Sequence, residues 1–230
     1  MTLPARECLT HAVSAVCREI ADRIEHRPPD LTERHLWWEL SCCLLSSQVP
    51  YSLAVAAANS VGESGLLMHS GDAEERLAVK LTCLLSTPLK VNGRTCAYRF
   101  PRSRAYQLAA TRSAITHQAG ELGSLLAAFA NAARARDWFV RHAPGIGPKQ
   151  ASMFLRNAGV SYDLAILDRH VLVYMTAIGL SDTPIPHVSR MGQYLRQEET
   201  LRTHACHLGH PVGLLDWAIW IVMRIARGMP

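Results

Sequence analysis

The chain has 230 residues, is 49% hydrophobic and 19% charged, and carries a formal net charge of +5. This composition excludes an intrinsically disordered chain, and the mild excess of positive charge permits nucleic-acid binding without requiring it. The length allows one large domain or two small ones that share an interface. The seven cysteines include no CxxC pair, which favours a protein of the reducing cytosol.

Neither end of the sequence has the pattern of a targeting or membrane segment. Residues 1–13 contain charged side chains and lack an apolar core, so no signal peptide is expected. The longest apolar stretch, residues 212–226, is interrupted by Asp216 and Arg224 and is too short to span a bilayer. We therefore expect a cytoplasmic protein without a membrane partner.

Apolar residues recur at helical spacing along almost the whole chain, which predicts an all-α protein. The predicted helices cover about 4–26, 31–47, 53–61, 73–85, 102–117, 120–134, 136–142, 149–158, 168–178, 187–207 and 212–227. Asp30 with Glu33, and Asp72 with Glu75, are spaced as capping boxes and are predicted to start two of these helices.

The least helical part of the sequence is residues 86–102, which contain two prolines and an Asn-Gly pair. They predict a loop with at most one short extended piece, and no strand pattern of any length is found. No linker is evident either. The expected architecture is therefore two helical lobes in close contact, one of about 1–45 plus 172–230 and the other of about 46–171.

A tight glycine turn joins two predicted helices at residues 143–152, within a helix-hairpin-helix at about 136–158. Gly145 and Gly147 supply the backbone freedom that the turn needs, and Ile146 between them can pack between the helices. The N–H groups of the turn point outward and, with the helix dipole, form a site for an anion such as a DNA phosphate. The alternative is a plain corner between two helices.

Lys149 lies at the start of the second hairpin helix and is one of only three lysines in the chain. The helix dipole disfavours a positive charge there, so the neutral amine, a nucleophile that can form a Schiff base, becomes more accessible. Asp168, nineteen residues further on, is suited to orient an amine, transfer a proton and stabilise a cationic sugar. Asp168 also starts a helix, so its alternative role is an N-cap, and both roles are compatible.

Three segments around this hairpin carry a resemblance to a known family. They read PGIGPKQA at 144–151, FLRN at 154–157 and AILDRH at 165–170. Together they closely resemble the helix-hairpin-helix Gly/Pro-Asp (HhH-GPD) superfamily of DNA glycosylases. Within that superfamily the chain is most similar to the 8-oxoguanine DNA glycosylase/AP lyases, especially the archaeal-type second subfamily.

Other parts of the chain extend the resemblance. The segment LLSSQ at 44–48 resembles the one that enters the DNA interface in this superfamily. The motif YRFP at 98–101, followed by Arg104, resembles the YRFP-x-x-RA stretch of the archaeal-type subfamily. Near the end of the chain, the pattern LD-x-x-x-W at 215–220 resembles the final helix of that subfamily.

The resemblance implies a bifunctional enzyme of base-excision repair, both a glycosidase and a lyase. Its substrate would be double-stranded DNA in which 8-oxoguanine or a related modified guanine is flipped out of the helix. Lys149 would attack C1′ of the sugar and displace the base, and the resulting imine would permit β-elimination and strand scission. Asp168 would assist base departure and the proton transfers.

The resemblance also implies roles around the base and along the DNA backbone. Trp220 would stack on the extruded base, Met153 would contact its other side, and Asp216 would hydrogen-bond its edge. Gln48 would insert into the duplex or face the orphaned base, unless it only ends a helix. Arg104 would contact a phosphate or simply lie at a solvated helix start. The full set of expected backbone contacts is Gly145, Ile146, Gly147, Arg104, Arg169 and His170.

No cofactor is expected. The four-cysteine cluster that holds iron–sulfur in endonuclease III-like members is absent, because only Cys206 lies in the last third of the chain. The nearby His204, His207 and His210 lack a clear fourth ligand, which favours a solvated turn over a metal site. A monovalent cation held by hairpin carbonyls, as in many relatives, would leave no side-chain signature. We expect a monomer associated with the nucleoid.

Two other functions stay open at the level of sequence. One is a DNA-binding protein with the glycosylase fold and no lyase activity, against which the Lys149 and Asp168 pair argues. The other is a family member used in bacterial antiviral defence that acts on a deazaguanine-type base. Archaeal-type relatives end in a lysine, whereas residues 227–230 here read RGMP, and this difference leaves the choice of base open.

Overall fold

A computed structural model of the chain describes residues 5–26, 30–69, 71–181, 188 and 190–228. These residues form twelve helices and one pair of short strands, which confirms the predicted helical fold class. In chain order they are α1 (Arg6–Glu25), α2 (Glu33–Leu45), α3 (Tyr51–Ser64), α4 (Leu66–His69), α5 (Glu74–Ser86), β1 (Leu89–Val91), β2 (Arg94–Cys96), α6 (Pro101–Ala119), α7 (Leu122–Ala127), α8 (Ala132–His142), α9 (Pro148–Asn157), α10 (Arg169–Ala177), α11 (Met191–His207) and α12 (Val212–Ala226).

No single helix in the described ranges is long and apolar enough to cross a membrane. Only α11 and α12 taken together reach the required length and apolar content, and they are bent by 91° at their junction.

One compact unit of the chain consists of Met1–Pro29 and Gly159–Pro230. Its core is built around α12, against which α1, α10 and α11 pack. Because three helices cover α12, apolar residues occupy most of its circumference rather than one stripe. The helix predicted over 187–207 begins at Met191, and residues 182–187 and 189 lie outside the described part.

The second compact unit is Asp30–Ala158, and α2 lies at its centre. All residues from Glu39 to Leu45 are buried, because α3, α6, α7 and α9 pack around this helix. The long apolar run in the sequence of α2 follows from that central position. The contact between α2 and α9 also means that the central helix supports the second helix of the glycine hairpin directly.

The boundaries between the units differ from those expected from sequence. They fall after Pro29 and after Ala158, rather than near 45 and 172. The segment 30–45 belongs with the second unit because α2 packs there against α3 and α9. The residues just before α10 belong with the first unit because side chains of α11 and α12 bind their backbone.

The prediction that no strand is present is wrong at residues 89–96. Here β1 and β2 form an antiparallel pair in which Leu89 lies opposite Cys96. The connecting Asn92 and Gly93 have φ angles of 49° and 76°, the left-handed values that a two-residue hairpin turn requires. The Asn-Gly pair was therefore the local signal of a hairpin, although each strand is only three residues long.

The predicted capping box at the start of α2 is also wrong. The N-cap is Thr32, and Asp30 accepts a hydrogen bond from the Thr32 N–H at 3.0 Å. The Glu33 carboxylate does not return to its own helix start. It accepts hydrogen bonds from the N–H groups of Leu122 and Gly123, at 2.7 and 2.9 Å, and so caps α7 instead.

Two further local predictions differ from the structure. The N-cap of α5 is Ala73 rather than Asp72, and Asp72 forms an ion pair with Lys80. The single helix predicted over 120–134 is two helices. The second of them starts at its own N-cap, Asn131, whose side chain accepts a backbone N–H of the first turn.

Candidate active site

The turn between α8 and α9 has the conformation that its two glycines predict. Gly145 has a φ of 84°, which side chains rarely tolerate, and Gly147 is the extended N-cap of α9. Ile146 is only 4% exposed, and its N–H donates to the carbonyl of Ala143 at 3.1 Å. Pro148 occupies the first position of α9, where no intrahelical partner for an N–H is needed.

A second constraint fixes glycine at the first turn position. A Cβ atom added to Gly145 would lie 2.5 Å from side-chain atoms of Gln107 in α6. The Gln107 side chain therefore rests directly on the turn. It is held there by the Arg104 guanidinium, which donates to its Oε1 at 2.6 Å. The sequence around Gln107 carries no signal of this contact, because it depends on how α6 packs against the hairpin.

Lys149 lies half-buried in the first turn of α9, a helix that packs against α2. Among its neighbours is the fully buried thiol of Cys43 in α2. Burial raises the pKa of this thiol well above its usual range, and the positive charges of Arg156 and Lys149 act in the opposite direction. Lys149 therefore lies near the buried C-terminal half of α2.

Packing between α8 and α9 holds this lysine in place. The rings of Phe139 and Phe154 meet edge to face at 5.2 Å, and the buried Arg136 donates to the Ser152 hydroxyl at 3.3 Å. Met153, which follows Lys149 by one helical turn, is half-buried. Its side chain is thus partly accessible, as a contact with a base requires.

Asp168 is the N-cap of α10, one of the two roles that its position predicts. Its Oδ1 accepts hydrogen bonds from the N–H groups of His170 and Val171, at 2.8 and 3.0 Å. Within the described residues, no hydrogen bond reaches Oδ2. Capping thus occupies one carboxylate oxygen and leaves the other for chemistry.

The two residues after Asp168 differ in exposure. Arg169 is exposed in the first turn of α10, where a guanidinium can reach a DNA phosphate. His170 is only 4% exposed, so its ring is not a surface contact in this structure. Burial lowers the pKa of His170, whereas the nearby Asp168 carboxylate raises it.

Trp220 and Asp216 lie one turn apart on α12 but in opposite environments. Trp220 is 37% exposed, and the guanidinium of Arg224 lies over its ring at 4.6 Å. The ring is thus partly exposed and partly covered by Arg224. Asp216 is 1% exposed, and its Oδ2 accepts the N–H of Ile166. The structure thus gives this carboxylate a partner in the protein backbone instead of the predicted base edge.

A family model for 8-oxoguanine DNA glycosylase matches residues 20–210 of the chain. The chain belongs to this family. An 8-oxoguanine DNA glycosylase/AP lyase of Thermotoga sp. strain RQ2 is 34% identical over 193 residues, covering 84% of this chain and 82% of that relative. The family predicted from the hairpin and from the segments around it is thereby confirmed.

Two solved structures of 8-oxoguanine DNA glycosylases share the fold. The enzyme of Thermotoga maritima superimposes with a TM-score of 0.67 at 30% identity, covering 94% of this chain and 95% of that one. The enzyme of Methanocaldococcus jannaschii gives a TM-score of 0.70 at 27% identity, covering 96% of this chain and 95% of that one. The likeness therefore extends over nearly the whole length of each glycosylase.

The loop that resembles the family's DNA-interface segment carries a strained residue. Gln48 is exposed and has a φ of 61°, in the left-handed region that residues other than glycine seldom occupy. Such strain persists only where the surroundings impose it, and it is frequent at functional sites. Gln48 therefore does not continue α2, and its insertion into the duplex stays a prediction.

The YRFP-x-x-RA stretch, residues 98–105, holds that loop. Arg104 donates to the carbonyl of Ser47 at 3.3 Å, and Tyr98 donates to the carbonyl of Leu45 at 2.8 Å. Arg104 thus links the loop to Gln107 and, through it, to the glycine turn. The sequence predicted a phosphate contact or a solvated helix start for Arg104. The structure instead commits two of its guanidinium nitrogens to the protein.

The described residues contain no group of three or more histidine, cysteine, aspartate or glutamate side chains that could hold a metal ion. His204 is paired with the Tyr174 hydroxyl at 3.1 Å, and His210 with the Ser14 hydroxyl at 2.8 Å. Cys206 is an exposed free thiol. The expectation of no iron–sulfur cluster stays a prediction, and a monovalent cation at the hairpin stays an open alternative.

Proposed function

We propose that this protein is a bifunctional DNA glycosylase/AP lyase that excises 8-oxoguanine, or a closely related modified guanine, from double-stranded DNA during base-excision repair. The chain belongs to the 8-oxoguanine DNA glycosylase family, and the observation that carries the proposal is the position of Lys149. The lysine lies in the first turn of α9, immediately after the glycine turn, and beside the buried end of α2. A binding protein without catalysis has no need of a half-buried amine there.

The proposed chemistry begins when the Nζ of Lys149 forms a bond to C1′ of the flipped nucleotide. The glycosidic bond breaks, and the base leaves with the bonding electron pair and a proton. The sugar ring opens to a Schiff base, and loss of a C2′ proton expels the 3′-phosphate by β-elimination. Water then hydrolyses the Schiff base and restores the amine. Asp168 stabilises the cationic sugar and transfers protons.

The remaining predicted residues serve binding in this proposal. The N–H groups around Gly145 and Gly147, with the positive end of the α9 dipole, hold a DNA phosphate without reading sequence. Trp220 stacks on the extruded base, and Met153 contacts it. Gln48 inserts into the duplex, which its strained and exposed conformation supports.

Borohydride trapping on duplex oligonucleotides tests the proposal. One duplex carries 8-oxoguanine and another carries an abasic site, and wild type is expected to form a covalent adduct with both. The adduct should disappear in Lys149→Gln, because glutamine cannot form a Schiff base. Lys90→Gln is the matched control, since Lys90 is an exposed lysine in β1 and should leave trapping unchanged.

Two further outcomes separate the alternatives. A duplex carrying a deazaguanine-type base is included, and trapping on that duplex and the abasic site, but not on 8-oxoguanine, would point to defence rather than repair. If wild type binds all the duplexes and is trapped by none, the protein is a DNA-binding member of the family and the proposal is wrong.

A further inference from the structure

The residues that lead into Asp168 are buried without belonging to a helix or strand. Residues 164–167 are each 5% exposed or less, although they form an irregular segment. Buried backbone of this kind needs hydrogen-bond partners for its N–H and C=O groups. Here those partners are supplied largely by side chains of α11 and α12.

Tyr194 of α11 binds the backbone on both sides of Ile166. Its hydroxyl donates to the carbonyl of Ala165 at 2.6 Å and accepts the N–H of Leu167 at 3.2 Å. The side chain is fully buried. A single hydroxyl thus fixes the backbone immediately before Asp168, using both its donor and an acceptor site.

Two buried carboxylates bind the N–H groups that Tyr194 does not reach. Glu198, one turn after Tyr194 on α11, accepts the N–H of Ala165 at 2.8 Å. Asp216 of α12 accepts the N–H of Ile166. Both carboxylates are 2% exposed or less. Burying carboxylates is unfavourable unless they are well paired. Here both bind backbone N–H groups of one short segment, and Glu198 also lies 3.7 Å from the guanidinium of Arg202.

The start of α12 contacts the same segment through its backbone. Gly213 donates its N–H to the carbonyl of Tyr162 at 2.8 Å. A Cβ atom at Gly213 would lie 2.8 Å from that oxygen and 2.9 Å from the carbonyl oxygen of Leu164. The segment is therefore packed against α12 too closely for any residue other than glycine at this position.

We infer that Tyr194, Glu198 and Asp216 are positioning residues, which fix the backbone of residues 165–167 and thereby the carboxylate of Asp168. Every backbone N–H from 165 to 167 donates to one of these three side chains. The place of the carboxylate is thus set by α11 and α12 as well as by its own helix. This inference rests on the proposed function, in which Asp168 assists base departure. A small misplacement of such a group lowers the rate strongly.

Tyr194→Phe tests the inference, because phenylalanine keeps the ring and removes both hydroxyl contacts. Its matched control is Tyr174→Phe, which removes the hydroxyl of an equally buried tyrosine of the same unit that is bonded to His204. The measurements are the single-turnover excision rate on a duplex with 8-oxoguanine, the dissociation constant for that duplex, and the thermal unfolding midpoint.

Tyr194→Phe is expected to lower the excision rate roughly tenfold or more while leaving the dissociation constant within about twofold of wild type. Both variants are expected to lower the unfolding midpoint by similar amounts. Tyr174→Phe is expected to leave the excision rate unchanged. Equal excision rates in the two variants would overturn the inference, because the contacts would then matter only for stability.

A second pair of variants tests the positioning role if Tyr194→Phe fails to fold. Glu198→Gln keeps an acceptor for the Ala165 N–H and should retain most of the excision rate, whereas Glu198→Leu should lose it. Equal rates in the glutamine and leucine variants would also overturn the inference. The proposed function fails separately, since in that case wild type itself would excise no base.

Discussion

At the scale of single residues, Asp168 combines a structural role with a proposed chemical one. Its Oδ1 caps α10, and the cap is one that asparagine also makes well. A carboxylate can stabilise a cationic sugar and carry a proton, whereas an amide can do neither. Substitutions at this one position therefore separate folding from chemistry.

Asp168→Asn is expected to leave the free energy of unfolding nearly unchanged and to lower the excision rate by roughly 100-fold or more. Asp168→Ala should lose about 1 kcal/mol of unfolding free energy as well, because the cap is removed. Urea unfolding and single-turnover excision measure the two effects. An asparagine variant with the wild-type rate would show that Asp168 acts only as a cap.

Trp220 is accessible enough to be replaced without disturbing the core. Trp220→Ala is expected to raise the dissociation constant for a duplex with 8-oxoguanine roughly fivefold to 100-fold, since stacking of a base on an aromatic ring contributes about 1–3 kcal/mol. Trp220→Phe should retain most of the affinity. A duplex with an abasic site is the control, because it offers no base to stack. A similar loss of affinity for both duplexes would contradict the stacking role.

At the scale of elements, the hairpin shows why its two glycines are not equivalent. Gly145 is required twice, by a left-handed φ of 84° and by the close approach of Gln107. Gly147 has a φ of −91°, which other residues adopt, and a Cβ there would meet only the flexible Gln150 side chain, at 3.3 Å. Backbone conformation and packing therefore both require glycine at position 145, and neither requires it at position 147.

Gly145→Ala is expected to lower the free energy of unfolding by about 1–2 kcal/mol and to weaken DNA binding, because the turn must change shape. Gly147→Ala is the matched control and should lose less than about 1 kcal/mol. Adding Gln107→Ala to the Gly145→Ala variant should recover only the part of the loss that comes from the steric overlap. Urea unfolding of wild type, the two single glycine variants and the double variant measures these differences in the free energy of unfolding. Full recovery in the double variant would show that backbone strain contributes nothing.

At the scale of the whole molecule, one buried and two half-buried histidines make stability depend on pH. Burial lowers the pKa of His170, His204 and His210 below the ordinary value of 6.5. The folded state therefore binds fewer protons than the unfolded state just below pH 6.5. Their contribution to stability is full above that pH and is lost as the pH falls.

The thermal unfolding midpoint is accordingly expected to be lower at pH 5.5 than at pH 7.5, and His204→Gln should reduce this difference. The buried Glu39 acts with the opposite sign, because burial raises its pKa and its contribution weakens as the pH rises from about 4.5. Comparing the variant with wild type isolates the histidine effect. An unchanged pH difference in the variant would rule out His204 as a source.

The sequence alone determined the features that depend on neighbours along the chain. Helical periodicity predicted the fold class, and the order Gly145, Gly147, Pro148 predicted the turn and the start of α9. It also placed Lys149 in the first turn and Asp168 at a helix start. These predictions succeeded because backbone conformation, capping and helix phase are set within a few residues.

The tertiary structure decided which polar groups meet. Glu33 binds a backbone group 89 residues away, Arg104 one that is 57 away, and Asp216 one that is 50 away. From the sequence, a local or DNA-facing role is predicted for each of these side chains. A buried carboxylate or guanidinium must find partners, but packing alone determines which backbone groups are within its reach. For that reason the sequence located the candidate catalytic residues, whereas only the fold revealed what holds Asp168 and the Gln48 loop in place.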